Sequence, residues 1–117
     1  MRNSANGIVT LNLNTQFRKL YQKGTSHVSP SVVMYVKRNG LSHNRLGITV
    51  SKKLGKAVVR NRAKRRLREI FRLNLPNMKS GYDFVLVARG RTATVPYQRL
   101  ADDFIFAAQN VGVMKDE

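Results

Sequence analysis

The sequence predicts an α/β domain, more specifically an α+β sandwich in which helices pack against a mixed sheet. Three segments rich in β-branched and aromatic residues are interspersed with segments whose apolar residues recur at helical spacing. A length of 117 residues suits one hydrophobic core rather than two. The hydrophobic share of 42% is ordinary for a globular protein and argues against wholesale disorder. The expected element order is α-β-β-α-β-α.

The first half of the chain is predicted to form one helix and two strands. Phe17, Leu20 and Tyr21 recur at helical spacing, which predicts a helix over residues 14–23 with Asn14 or Thr15 as its cap. The segments that follow are expected to form a loop, a strand, a turn and a second strand, over residues 26–31, 32–36, 37–44 and 46–50.

The second half is predicted to hold a long helix over residues 57–74, a third strand over 84–88 and a last helix beginning near Pro96. Thr94 is a candidate cap for that last helix. The long helix crosses over between the second and third strands, so these two strands should be parallel.

The domain itself is predicted to span residues 14–112. Residues 1–13 are expected to form a polar, disordered lead-in, and residues 113–117 a polar tail. The lead-in lacks the long apolar core of a signal peptide, and no apolar run in the chain approaches the roughly 18 residues typical of a membrane span.

The positive charge is concentrated in one part of the chain. The net charge is +16, and residues 1–68 contain sixteen Lys and Arg without a single Asp or Glu. The remaining residues hold six basic side chains and all six acids. Such a charge balance favours a phosphate backbone or an anionic membrane surface as partner.

The long helix carries the densest charge, with five Arg and one Lys from Arg60 to Arg68 and no acid among them. At about 100° per residue, its apolar side chains form one stripe, and a basic flank lies beside it. The flank comprises Arg60, Asn61, Lys64, Arg65, Arg68 and Arg72, whereas Arg62 and Arg66 lie outside it. Like charges four residues apart repel, and Glu69 is the one acid within the helix. A bound polyanion would relieve this repulsion.

A membrane surface is the less favoured of the two partners. A helix that lies on a membrane needs an apolar face free to enter lipid. Here the apolar stripe of the long helix is needed to cover the sheet. The sequence therefore predicts binding to nucleic acid rather than to a membrane.

A second constellation combines aromatic and basic side chains. Phe17 and Tyr21 lie one turn apart on the first helix, and Val33 and Tyr35 share one face of the first strand. With Lys52 nearby, such a cluster would suit single-stranded nucleic acid, because bases stack on the rings and cations hold the backbone. Core packing explains the same spacing equally well.

The sequence gives no sign of a catalytic centre made of protein. The chain has no Cys, which excludes disulfides, thiolate zinc sites and Cys nucleophiles. His27 and His43 are far apart and have no acidic neighbour, and Asp102 and Asp103 diverge by about 100° on a helix. The loop over residues 51–56 fails the pattern of a nucleotide-binding phosphate loop.

The block from Leu46 to Arg65 resembles the signature of the bacterial ribonuclease P protein subunit. Its most specific part is the run Arg60-Asn61-Arg62 with the basic residues that follow it. Further similarity lies in residues 17–24 and 82–89, and the resemblance covers roughly residues 14–110. Two residues depart from the usual pattern: Ala63 replaces a larger aliphatic residue, and Arg66 replaces an apolar one.

The resemblance implies a ribosomal S5-type fold with a left-handed β-α-β crossover, against the usual right-handed rule. It implies an accessory subunit of an endoribonuclease in which the catalytic RNA, with Mg²⁺, removes the 5′ leader of precursor tRNA. The catalytic RNA and precursor tRNA would both be partners of the protein. The protein would act in the cytoplasm, away from membranes and without a required protein partner. One alternative is a ribosomal or general RNA-binding protein. The other is a self-sufficient nuclease, which the scattered positions of the acids disfavour.

The resemblance also implies two sets of binding residues and neither a catalytic nor a metal-ligating residue in the protein. The first set would contact the catalytic RNA and comprises Arg60, Asn61, Arg62, Lys64, Arg65 and Arg68. The second set would contact the precursor-tRNA leader and comprises Phe17, Tyr21, Val33, Tyr35, Lys52 and Lys53.

Overall fold

The computed structural model describes residues 8–115, which form a five-stranded mixed sheet and three α-helices. The elements in chain order are β1 (Val9–Thr10), α1 (Asn14–Lys23), β2 (Thr25–Val28), β3 (Val32–Arg38), β4 (Arg45–Thr49), α2 (Ala57–Asn74), β5 (Tyr82–Ala88) and α3 (Tyr97–Asn110). Short 3-10 turns at Lys52–Leu54 and Leu75–Asn77 flank α2. The predicted fold class is confirmed.

The strands are arranged in the order β1-β4-β5-β3-β2. β4 and β5 are parallel neighbours joined by α2, which confirms the predicted crossover. β1 pairs with β4 in parallel, whereas β3 pairs antiparallel with both β5 and β2. β3 and β4 are consecutive in the chain but do not pair, since β5 lies between them. The handedness of the crossover stays a prediction.

One face of the sheet carries the main core. α2 and α3 pack there, and the predicted apolar stripe of α2 is buried at Ala63, Leu67, Ile70 and Phe71. The Phe71 ring lies edge-on to Phe84, with their centroids 5.0 Å apart. Within residues 8–115, α1 is the helix that packs on the opposite face, and this uneven covering leaves a groove beside α1.

The structure differs from the prediction at both ends of the chain. Ile8 and Leu11 are buried, and Val9–Thr10 forms β1, so the polar lead-in cannot include residues 8–11. At the other end Val113 is fully buried, so the polar tail begins later. In both places apolar side chains are too few for a recognisable period but find partners in the core. Residues 1–7 and 116–117 lie outside the described residues.

The loop predicted over residues 26–31 is wrong for its first half. Thr25–Val28 forms β2, an edge strand that pairs residue by residue with β3. Its sequence has no apolar alternation, so its extended form depends on backbone pairing with β3. The predicted turn over residues 37–44 is shorter than expected, because β3 continues to Arg38.

Both predicted helix caps are also wrong. α1 begins at Asn14 itself, and the Gln16 side-chain oxygen accepts hydrogen bonds from the backbone N–H groups of Asn12 and Leu13. α3 follows Pro96, without a side-chain cap from Thr94. A side chain from inside the first turn of α1 thus binds the backbone donors that precede the helix.

Gly24, which follows α1, is a site where we expect a methyl group to be destabilising. A Cβ there would lie 2.6 Å from the Leu20 carbonyl oxygen and 2.8 Å from that of Val36. Since both obstacles are backbone atoms, Gly24→Ala should lower the free energy of unfolding by about 1–3 kcal/mol. Urea denaturation followed by circular dichroism measures the change. Gly90→Ala is the matched control, because nothing lies within 4 Å of a Cβ at Gly90.

Candidate nucleic-acid interface

α1 packs through a small apolar cluster on the second face of the sheet. Leu11, Leu20 and Val85 are buried in this cluster, and Phe17 and Tyr35 are half-buried at its edge. The strand register continues the face beyond α1, where Val33 on β3, Val87 on β5 and Thr49 on β4 lie side by side. This row forms the floor of an uncovered strip beside α1.

Phe17 is fixed by close packing on the sheet. Its ring lies over Gly47, where an added Cβ would come within 2.6 Å of two ring carbons. A side chain at that position of β4 would therefore displace the ring. Phe17 therefore contributes at least in part to core packing, which is the alternative explanation of its helical spacing.

Tyr21 is the more exposed ring, with 42% of its surface accessible. It meets the Tyr35 ring edge-on at a centroid distance of 4.9 Å, and its hydroxyl lies 2.9 Å from Thr49 Oγ1. Two contacts thus hold the ring in place while much of its surface stays open. A fixed, exposed ring is the kind of platform on which a nucleic-acid base stacks.

A groove separates α1 from α2, and we call it the α1–α2 groove. It contains two adjoining cavities of about 410 and 220 Å³. Phe17 and Lys64 line both cavities, Tyr21 lines the larger, and Arg68 lines the smaller. Aromatic rings therefore form one wall and cationic side chains the other, a combination that suits single-stranded nucleic acid.

The other predicted leader residues lie near this groove but do not line its cavities. Val33 lies in the open strip, on the far side of β5 from Thr49. Lys52 and Lys53 are exposed on the 3-10 turn that follows β4. The structure therefore brings Phe17, Tyr21 and Tyr35 together and leaves the two lysines at the rim.

Apart from Arg72, the cations of the basic flank of α2 lack acidic partners within residues 8–115. The ion pairs among the described residues join Asp83 to Arg45 and Glu69 to Arg72, with N–O distances of 2.7 Å each. Those carboxylates raise the pKa of both guanidinium groups, chiefly by accepting their hydrogen bonds. Of the six predicted RNA-binding residues, Arg60 donates to the Gly55 carbonyl, and Asn61, Lys64 and Arg65 are exposed.

Arg62 and Arg66 project from the opposite flank of α2, as their helical angles predict. Arg62 Nε donates to the Ala93 carbonyl at 2.9 Å. The Arg66 guanidinium donates to the carbonyls of Thr92 and Val95, at 2.8 and 2.7 Å. Desolvation on burial, together with the neighbouring charge of Arg62, lowers the pKa of Arg66. Sequence reasoning missed this contact, and the one signal for it was an arginine where the family usually has an apolar residue.

Three of the remaining candidates for chemistry contact neighbouring side chains. The Asp102 and Asp103 carboxylates accept hydrogen bonds from Gln98 and Ser31, and the His27 ring lies 5.4 Å from that of Phe106. The described part of the chain brings no three His, Cys, Asp or Glu side chains together in a way that could hold a metal ion. No helix within residues 8–115 is long and apolar enough to cross a membrane.

Comparison with known proteins decides the family. The sequence model of the family Ribonuclease P matches residues 8–112. The chain belongs to the ribonuclease P protein family. It is 47% identical to the ribonuclease P protein component of Natranaerobius thermophilus over 98 residues, which are 84% of this chain and 85% of the relative. The corresponding component of Clostridium botulinum is 42% identical over 101 residues, covering 86% and 91% of the two chains.

Solved structures of ribonuclease P proteins share the fold. That from Staphylococcus aureus matches with a TM-score of 0.81 at 31% identity, covering 91% of this chain and 97% of its own. That from Thermotoga maritima matches with a TM-score of 0.75 at 32% identity, covering 83% and 92%. The predicted family is confirmed. Ribonuclease P is an endoribonuclease that processes tRNA 5′ ends, and this protein is an accessory subunit that acts with the enzyme's RNA.

Proposed function

We propose that α2 binds the catalytic RNA of ribonuclease P and that the α1–α2 groove binds the 5′ leader of precursor tRNA. The observation that carries this proposal is the composition of the groove, with fixed rings on α1 facing cations on α2 that have no carboxylate partner within residues 8–115. The rings would stack on unpaired leader bases, and the cations would contact phosphates.

The two proposed contacts share one helix. Lys64 lines both cavities of the groove, and Arg65 lies farther round α2, at about 140° from Arg60. Arg68 lies between them, at the boundary of the groove and the outer surface that would bind the catalytic RNA. A leader in the groove would thus lie beside the catalytic RNA on the outer surface of α2. This arrangement supports an accessory role in which the protein holds substrate and catalyst together.

The chemistry itself is proposed to belong to the RNA. Leader removal would depend on Mg²⁺ bound mainly by RNA, because the described residues offer no three-ligand cluster for a protein-held ion. Under this proposal the protein works in the cytoplasm, where precursor tRNA is processed, and contributes binding rather than a nucleophile or a base.

Reconstitution tests the proposal. Purified protein added to its cognate catalytic RNA should restore cleavage of leader-bearing tRNA at an Mg²⁺ concentration too low for the RNA alone. Protein without RNA should be inactive, and a small basic protein of similar net charge is the control for non-specific neutralisation. The proposal fails if cleavage does not rise above that of RNA alone. Cross-linking in cells to ribosomal RNA instead would favour the ribosomal alternative.

Tyr21 offers a direct test of leader stacking. We expect Tyr21→Ala to weaken binding of leader-bearing tRNA to the holoenzyme by about 1–3 kcal/mol, the range for loss of one stacked base. Tyr21→Phe keeps the ring but removes the hydroxyl next to Thr49, so it should retain most of the affinity. Binding titrations with precursor and mature tRNA measure both variants. Equal weakening for mature tRNA would contradict a leader contact.

A further inference from the structure

The loop after β5 is held against α2 by two arginines. We call residues 89–95 the β5–α3 loop and its contacts with Arg62 and Arg66 the arginine clasp. Arg62 Nε donates to the Ala93 carbonyl, and the two terminal nitrogens of Arg66 donate to the carbonyls of Thr92 and Val95. Arg66 also lies over the Tyr97 ring, 5.9 Å from its centroid. Both side chains thereby contact one short stretch of backbone.

The loop is ordered by its own hydrogen bonds as well as by the clasp. Thr92 is fully buried, and its hydroxyl donates to the Ser31 carbonyl while accepting from the Arg89 N–H. The Arg91 carbonyl accepts from the N–H groups of Thr94 and Val95. A segment fixed in this way loses little conformational entropy when it binds a ligand.

The ordered loop carries unneutralised charge. Arg89 and Arg91 are both exposed, and within residues 8–115 neither lies in an ion pair with a carboxylate. Arg89 makes one long contact with the Ser29 carbonyl, at 3.3 Å. Asp83, the acid nearest in sequence, is paired with Arg45, and Asp102 and Asp103 on α3 accept hydrogen bonds from Gln98 and Ser31. Arg62 adds a third positive charge, because its guanidinium binds a carbonyl two residues from Arg91.

The arginine clasp lies across α2 from the groove. Lys64 and Arg68 line the groove on one flank, whereas Arg62 and Arg66 reach the loop from the other. The two surfaces are thus separated by the width of a helix, about 10 Å. A nucleic-acid strand in the groove would not occupy the loop.

We propose that the β5–α3 loop is a second phosphate-binding surface, on which Arg91, with Arg89 and Arg62, contacts the backbone of an RNA segment distinct from the one in the groove. Arg66 is a positioning residue that holds the loop and does not itself contact RNA. Backbone phosphates are the expected ligand because the aromatic ring at this surface, Tyr97, already lies under Arg66. The inference rests on the proposed function, since it requires the protein to bind RNA.

Tethered cleavage locates the RNA at this surface. The chain has no Cys, so a single introduced thiol can carry an iron chelate that cuts nearby RNA. A probe on Arg91→Cys should cut the catalytic RNA or tRNA at nucleotides different from those cut by a probe on Arg65→Cys. Lys79→Cys, at the opposite end of β5, is the matched control and should cut weakly. Cuts from Arg65→Cys without cuts from Arg91→Cys would overturn the second surface alone.

Salt dependence measures the contact independently. Arg91→Ala should reduce the slope of log affinity against log salt by about one, the value for one lost phosphate contact. Lys79→Ala removes one charge elsewhere and should leave the slope unchanged. An unchanged slope for Arg91→Ala, in a protein that still stimulates leader cleavage, would reject this surface and leave the proposed function standing.

Arg66→Lys separates positioning from direct contact. Lysine keeps the charge but cannot donate in a fixed fork to two carbonyls. We expect faster amide exchange in the β5–α3 loop and weaker cutting from a probe at position 91, with the salt slope within about half a unit of the parent. A slope lowered by a full unit, with loop exchange unchanged, would show that Arg66 itself contacts phosphate.

Discussion

Replacing Arg65 and Arg68 together by Ala should weaken binding of the catalytic RNA by about a hundredfold or more. Each guanidinium is expected to contact a phosphate, and a hydrogen bond to a charged group contributes about 1.5–3 kcal/mol. Two such contacts contribute at least about 3 kcal/mol together. Neither arginine forms an ion pair within residues 8–115 that would compete with RNA. The salt slope should fall by about two.

Arg72→Ala is the matched control for that double variant. Arg72 lies one turn beyond Arg68 on the same helix, but its guanidinium binds Glu69 through two hydrogen bonds. Filter binding across a salt series should therefore show little change for Arg72→Ala. A loss from Arg72→Ala equal to that from either flank arginine would mean that total charge, and not contact, governs affinity. Circular dichroism should show all variants folded, since these side chains lie outside the core stripe.

Arg45→Ala should produce the largest loss of stability among single substitutions considered for this chain, about 3 kcal/mol. Asp83 is 7% exposed and accepts hydrogen bonds from Arg45 Nε and Nη2, both at 2.7 Å, and from Asn39 Nδ2 at 2.9 Å. Removing Arg45 leaves a buried carboxylate with one neutral donor. An uncompensated buried charge is what makes the breaking of such a pair costly.

Chemical denaturation of Arg45→Ala measures this effect. Arg38→Ala is the control, because Arg38 is exposed and its one described contact is with the Tyr82 ring, 5.4 Å away. That contact is expected to contribute no more than about 1 kcal/mol. Since Arg45 and Asp83 lie at the end of the sheet remote from Thr49, RNA affinity of folded Arg45→Ala should be normal. Stability equal to that of the parent would show that the pair is not effectively desolvated.

The sequence predicted the parts of the fold that depend on local periodicity. The apolar stripe of α2, which includes Leu67, Ile70 and Phe71, is predictable because a helix of 18 residues repeats its pattern several times. β1 and β2 have two and four residues, too few for any period, and both exist because they pair with a longer strand. Pairing of this kind is a property of the assembled sheet and has no signature in the segment itself.

The candidate site shows the same division. The basic flank of α2 could be predicted, since charge and helical angle are both local. The groove could not, because it depends on Phe17 reaching Gly47 and on Tyr21 reaching Thr49, contacts that join residues distant in the chain. The position of Arg66 was visible as a departure from its family, but its function depends on the carbonyls of a loop far along the chain. The RNA-binding roles of all these residues stay predictions.

The placement of α2 has a consequence for substrate selection. Its inner side chains are buried in the core against β4, β5 and α3, so its outer sides cannot move apart or turn independently. Two RNA strands lying against those sides would be held at a spacing set when the protein folds. α2 would then select two RNA strands whose backbones are separated by the width of the helix, and strands with a different spacing would bind less well.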